Sequence, residues 1–194
     1  MTSELLTSDG KRKYLTQDEQ ERFLARAGDL DSAEVRTFCM TLAYTGCRIS
    51  EALALTVERV DLSAKVVRLQ SLKKRGKVVF RAVPVPDDYL DAVKLVHSLQ
   101  RRQRLKNGRT ALLWQFSRVM GWKHVKAVMD DAGIEGDHAS PKGLRHGFGV
   151  RMAQKTRNPR LVQKLLGHAN LETTAIYMDL VGEDERDEVV GAWG

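Results

Sequence analysis

The sequence predicts an α+β domain, a mainly helical chain built around a small antiparallel three-stranded sheet. Three observations carry this. Helix-start signals recur along most of the chain, each followed by apolar residues at helical spacing. The apolar period shortens to two only between about residues 57 and 85. No Gly-rich loop follows a strand and opens a helix, which argues against a nucleotide-binding fold.

Thr16 stands three residues before Glu19, a capping-box pattern, so a helix is expected from there to about Ala27, with Gly28 as its stop. Ser32 to Tyr44 reads as a second helix, with Val35, Phe38 and Leu42 on one apolar face and Gly46 just past its end. Helical character continues over Ile49 to Leu55. The segments VERVDL, KVVRLQSL and KVVFRAVPV read as short strands, with Gly76 turning between the last two. Pro86-Asp87-Asp88 opens a helix expected to run to about Lys106. NGRTALLWQ reads as a loop with a short apolar segment, and Arg118 to Ala132 as a helix. Ser140-Pro141 and Asn158-Pro159 each place a capping side chain before an N1 proline.

The chain has 194 residues, 42% of them hydrophobic, enough for one domain with a sizeable core. No apolar stretch is long enough for a membrane helix, and MTSELLTSDGKRKYL lacks the apolar run of a secretory leader. Cys39 and Cys47 have neither zinc spacing nor a secreted context, so reduced thiols in a cytoplasmic protein are expected. The five histidines have no Cys or acidic partners at ligand spacing, so no metal site is expected.

The net charge is +7, and its distribution is uneven. Ser71 to Lys126 carries fourteen Lys/Arg against three Asp, whereas Glu172 to the end carries seven acids against one Arg. A basic middle of this size suggests a polyanion partner, most commonly nucleic acid. Arg101, Arg102, Arg104 and Lys106 alone are equally well read as a solvated helix face.

Several residues stand out once a phosphate ligand is considered. Arg48 follows a helix end in AYTGCRISEALAL, and Lys73 and Lys74 lead into the Gly76 turn. Arg145 lies in SPKGLRHGFGV, and His168 and Tyr177 lie nine residues apart in LVQKLLGHANLETTAIYMDL. Each has a structural reading too. Arg48 pairs with Glu51 or Glu58, the lysines decorate a hairpin, His168 caps a helix after Gly167, and Tyr177 is a half-buried aromatic. Arg145 is harder to dismiss, because Leu144 and Phe148 place it towards the buried side of its helix.

The set and its chain order decide between these readings. Thr45-Gly46-Cys47-Arg48-Ile49-Ser50-Glu51, a lysine-bearing hairpin, Lys142-Gly143-Leu144-Arg145-His146, Leu166-Gly167-His168 and then Tyr177 together resemble the catalytic domain of the tyrosine recombinases, the phage integrase family. The resemblance covers roughly residues 14–180 and departs at Lys142, where the family usually has His. It implies a 1–13 extension, a catalytic domain over 14–180 and an acidic tail over 181–194 that docks on a neighbouring protomer through Val189, Val190 and Trp193. It also implies a short form lacking the N-terminal core-binding domain.

The chemistry implied is transesterification at a DNA phosphodiester. Tyr177 attacks phosphorus, forms a 3′-phosphotyrosyl link and releases a 5′-hydroxyl, so rejoining needs no ATP. Arg48 and Arg145 make forked contacts to the non-bridging oxygens and supply the charge that a metal supplies elsewhere, so no cofactor is expected. Lys73, or its neighbour Lys74, protonates the leaving oxygen; adjacent strand residues face opposite sides, so only one of the two points at DNA. His168 bonds the transferring phosphate, and Lys142 adds charge and helps position Tyr177. Glu51 orients Arg48 from the interior, and His146 supports the fold. The implied partners are double-stranded DNA and further copies of the chain, a tetramer on paired sites and a monomer or weak oligomer in solution, with no membrane. Two alternatives stay open here, a type IB topoisomerase-like relaxing enzyme and an inactive DNA-binding remnant.

Overall fold

A computed structural model describes residues 5–71 and 79–178. The first helix, α1 (Gln17–Gly28), begins where Thr16 and Glu19 close a reciprocal capping box. Each side chain there satisfies a backbone N–H that the first helical turn leaves unpaired. In α2 (Ala33–Thr45) the Ser32 hydroxyl accepts from the Val35 N–H, and the helix ends on Gly46 at φ +58°. A Cβ at Gly46 would stand 2.4 Å from a Phe148 ring carbon, so both conformation and space require glycine there.

The short α3 (Ile49–Leu53) follows, capped by its own Glu51. After a 3₁₀ turn at Val57–Arg59 come β1 (Val60–Asp61), β2 (Val66–Ser71) and β3 (Val79–Pro84). The three strands form one antiparallel sheet in sequential order. Its register pairs Val67 with Val83 and Leu69 with Arg81. Val67, Leu69, Arg81 and Val83 are all buried, so the sheet presents one face to the core, with an arginine on it.

The second half is helical: α4 (Asp87–Val96), α5 (Leu99–Arg104), α6 (Lys106–Arg109), α7 (Arg118–Asp131), α8 (Pro141–Thr156), α9 (Pro159–Leu166) and α10 (Glu172–Met178). Ser140 and Asn158 cap α8 and α9 through the N–H groups of Gly143 and Leu161, as their sequence patterns require. Helix α2 lies centrally, against α1, α4, α7 and α8. Its Phe38 meets Trp114 edge-on at 5.4 Å, and both are buried. Full burial of such a side chain contributes about 1.5–3 kcal/mol. Cys39 and Cys47 are buried free thiols. No helix among the described residues is long and apolar enough to cross a membrane.

Four expectations need correction. Asn107 to Arg109, read as the start of a loop, belong to the short helix α6. The VERVDL segment is mostly a 3₁₀ turn, with only Val60 and Asp61 paired in the sheet. Helix α3 stops at Leu53, because the Leu55 carbonyl accepts from the Leu113 N–H of the loop before α7. The helix expected from Pro86 to about Lys106 breaks at Ser98, whose φ is +49°. The cause is tertiary: the buried His97 ring turns inward to bond the Thr37 hydroxyl at 3.0 Å and meets Trp114 edge-on. The Gly76 turn and the tail anchors Val189, Val190 and Trp193 lie outside the described residues.

Candidate active site

Helix ends build the site. Arg145 projects from α8 into the interior and is 7% exposed. Its guanidinium donates to the Gly46 carbonyl at 2.6 Å and to the Leu166 carbonyl at 2.8 Å. These are the C-terminal ends of α2 and α9, where helix carbonyls lack internal partners and favour a cation. One side chain thus draws together the segment that carries Arg48 and the turn that carries His168. Burial and the nearby Arg48 lower the Arg145 pKa to about 10, which leaves it charged at neutral pH.

Arg48 is the N-cap of α3, and its side chain is half exposed. Glu51, 2% exposed, accepts from the Arg48 backbone N–H at 2.9 Å and from its guanidinium at 3.2 Å. Burial pushes the Glu51 carboxyl up, but the hydrogen bonds and charge of Arg81 and the Arg48 N–H outweigh it and hold the group below the usual range. Glu51 therefore stands as an anion that orients Arg48, the role expected for it.

Gly167, at φ +68°, ends α9 and turns the chain so that His168 faces the same space. The His168 Nδ1 bonds the Thr174 hydroxyl at 3.1 Å, and its ring stacks on Tyr177 with centroids 6.0 Å apart. Tyr177, on α10, is 1% exposed, and its hydroxyl lies 2.8 Å from Nδ1 of His146. Burial and the neighbouring cations lower the pKa of both His146 and His168 to about 4, so both rings are neutral at pH 7.

Arg48, Lys142, Arg145, His168 and Tyr177 all line one cleft of about 490 Å³. Lys142 is exposed at the start of α8. The sixth expected site residue, Lys73, lies outside the described residues, as does Lys74. Three further features escaped the sequence reading. His146 lines the cleft and touches the Tyr177 hydroxyl, whereas the sequence suggested only support of the fold. Arg118 and Trp122 of α7 also line the cleft. Arg81 joins the network from the sheet. It stands in phase with Val83 and Val85 in FRAVPV, and that alternation was the available signal.

Comparison with known proteins identifies the class. The phage integrase family profile matches residues 13–183, and the chain belongs to that family. Among named relatives, tyrosine recombinase XerD of Caulobacter vibrioides is 36% identical, with 88% of this chain and 58% of the relative covered. Tyrosine recombinase XerD of Vibrio vulnificus strain YJ016 is 32% identical, covering 88% and 57% respectively. The chain therefore spans just over half the length of the curated relatives it matches. Among solved structures, XerH site-specific recombinase bound to palindromic difH substrate, a post-cleavage complex, superposes with a TM-score of 0.73 at 26% identity, covering 93% of this chain and 53% of that one.

Proposed function

We propose that this chain carries the strand-cutting and strand-joining chemistry of a site-specific DNA recombinase. The observation that carries the reading is the convergence of the Arg48 and Arg145 guanidiniums, two neutral imidazoles and a tyrosine hydroxyl on one cleft. A phosphodiester in that cleft meets Arg48 and Arg145 at its non-bridging oxygens, where charge grows as phosphorus becomes five-coordinate. Preorganised donors of this kind are commonly worth about 3–4 kcal/mol each. The second nitrogen of His168 carries no hydrogen bond among the described residues, since Thr174 holds the first, and it can donate to the same phosphate.

The Tyr177 oxygen forms the new bond to phosphorus as the bond to the 5′-oxygen breaks. The phenol proton passes to neutral His146, and the leaving oxygen takes a proton from Lys73, the expected hairpin acid. Lys142 adds positive charge at the mouth of the cleft. The Xer relatives and the XerH complex with difH substrate support the choice of DNA as substrate. Oligomerisation on paired DNA sites, with residues 181–194 docking on a neighbouring protomer, belongs to the same reading.

The test is covalent capture in the host. Cells expressing the protein are lysed in strong detergent, and protein-linked DNA is isolated and sequenced. A recurrent pair of short inverted sites is expected. Links scattered over the genome would point instead to a relaxing enzyme, and DNA binding without any link would overturn the catalytic reading.

A further inference from the structure

We propose that Arg81 is a positioning residue that locks three arms of the cleft together, an inference that rests on the recombinase reading above. It is not among the residues that line the cleft. It is 7% exposed on the inward face of β3. Its two terminal nitrogens fork onto both carboxylate oxygens of Glu51, at 2.7 and 3.2 Å. Its Nε donates to the Leu165 carbonyl at 2.8 Å, and one terminal nitrogen also reaches the Ser71 hydroxyl at 3.4 Å.

Each of these contacts leads to a different group of the site. Glu51 carries Arg48 on the same two oxygens. Leu165 adjoins Leu166, whose carbonyl Arg145 holds, and His168 follows two residues later. Ser71 ends β2, two residues before Lys73 in the sequence. A Cβ at Gly167 would come within 3.0 Å of an Arg81 nitrogen, so the turn before His168 is fitted to this guanidinium. A purely structural ion pair would need only Arg81 and Glu51. The planar fork of arginine instead satisfies three elements at once, which a lysine ammonium cannot reproduce.

The experiment uses Arg81→Gln and Arg81→Lys in single-turnover cleavage of the DNA site recovered by capture. Two substrates are compared, the ordinary phosphodiester and a neutral methylphosphonate at the scissile position. Misplaced arginines matter most where charge must be stabilised. Both variants are therefore expected to lose about 10²-fold on the phosphodiester and much less on the methylphosphonate. DNA affinity should stay within about twofold, because the cleft meets a single phosphate among the many that a DNA site presents. Equal losses on both substrates would show that Arg81 only supports folding and would overturn the proposal. Arg81→Lys keeps a cation beside Glu51 and serves if the glutamine variant does not fold. A second readout is independent of activity: the Arg48 amide, held by Glu51, should exchange at least ~10-fold faster in Arg81→Lys while α2 amides keep their protection. Unchanged Arg48 exchange overturns the coupling. A wild type that cuts neither substrate, with Arg48 exchange still raised in the variant, would instead remove the recombinase reading and leave the coupling standing.

Discussion

The Tyr177 hydroxyl and the His146 ring meet at 2.8 Å in the interior, and both side chains are almost wholly buried. The imidazole is neutral at pH 7, so one of its nitrogens has a lone pair able to take the phenol proton. The other, Nε2, is buried with no hydrogen-bond partner among the described residues. His146→Phe keeps the ring volume and removes the acceptor. DNA-linked protein should fall by about 10²-fold or more, while the folded fraction, followed by circular dichroism, should be retained. Capture at the wild-type level would return His146 to a packing role.

Gly149 faces the same tyrosine. A Cβ built there would lie 2.5 Å from the Tyr177 ring. Alanine is the better helix former by about 1 kcal/mol, so propensity alone would make Gly149→Ala neutral or stabilising. The ring contact predicts the opposite for function: Tyr177 is displaced from His146 and His168, and covalent capture falls at least tenfold. Undiminished capture by a folded Gly149→Ala would contradict the placement of Tyr177.

Glu51→Ala leaves the buried Arg81 cation without its carboxylate. Breaking a buried pair in this way costs about 3–5 kcal/mol. Urea unfolding should show a loss of that order. A loss under about 1 kcal/mol would mean that the pair is solvated, as exposed ion pairs are.

Stability should depend on pH through the buried histidines. His97, His146 and His168 are each lowered from 6.5 to about 4, foremost by burial. Between those values the unfolded chain binds protons that the folded chain does not. Stability is therefore complete above about pH 6.5 and falls as pH drops towards 4, with each pKa unit equal to about 1.4 kcal/mol. Glu19, held at about 2 against an ordinary 4.5, contributes its own loss only below 4.5. Urea midpoints between pH 6.5 and 4.5 thus isolate the histidines, and a flat profile there would contradict their burial as neutral rings.

Deleting residues 183–194 removes most of the acidic tail, including Val189, Val190 and Trp193. Assembly on DNA, followed by gel mobility and light scattering, should be lost while the monomer still folds. Unchanged assembly would remove the docking role.

Much of this was legible in the sequence because local chemistry set it. Thr16, Ser32, Ser140 and Asn158 cap helices wherever their spacing placed them, and Gly46 and Gly167 adopt the left-handed conformation that ends a helix. Arg48, Lys142, Arg145, His168 and Tyr177 were legible because ordered motifs carried them, whereas Arg118 and Trp122 of the same cleft stand in no such motif. What the sequence hid was decided by contacts between distant segments. Ser98 breaks a helix of good local propensity because His97 finds Thr37 sixty residues away. The partnership of His146 with Tyr177 spans 31 positions and depends on the space left at Gly149. Arg81 read as one more cation in a basic stretch, although its phase with Val83 already placed it inside.

The central claim is that the Tyr177 oxygen becomes bonded to DNA phosphorus. Captured complexes can be trimmed with nuclease, digested with protease and searched by mass spectrometry for a nucleotide adduct. The expected result is a 3′-phosphoryl nucleotide on the peptide that contains Tyr177, absent from Tyr177→Phe. An adduct on another residue, or an equal yield from Tyr177→Phe, would contradict it.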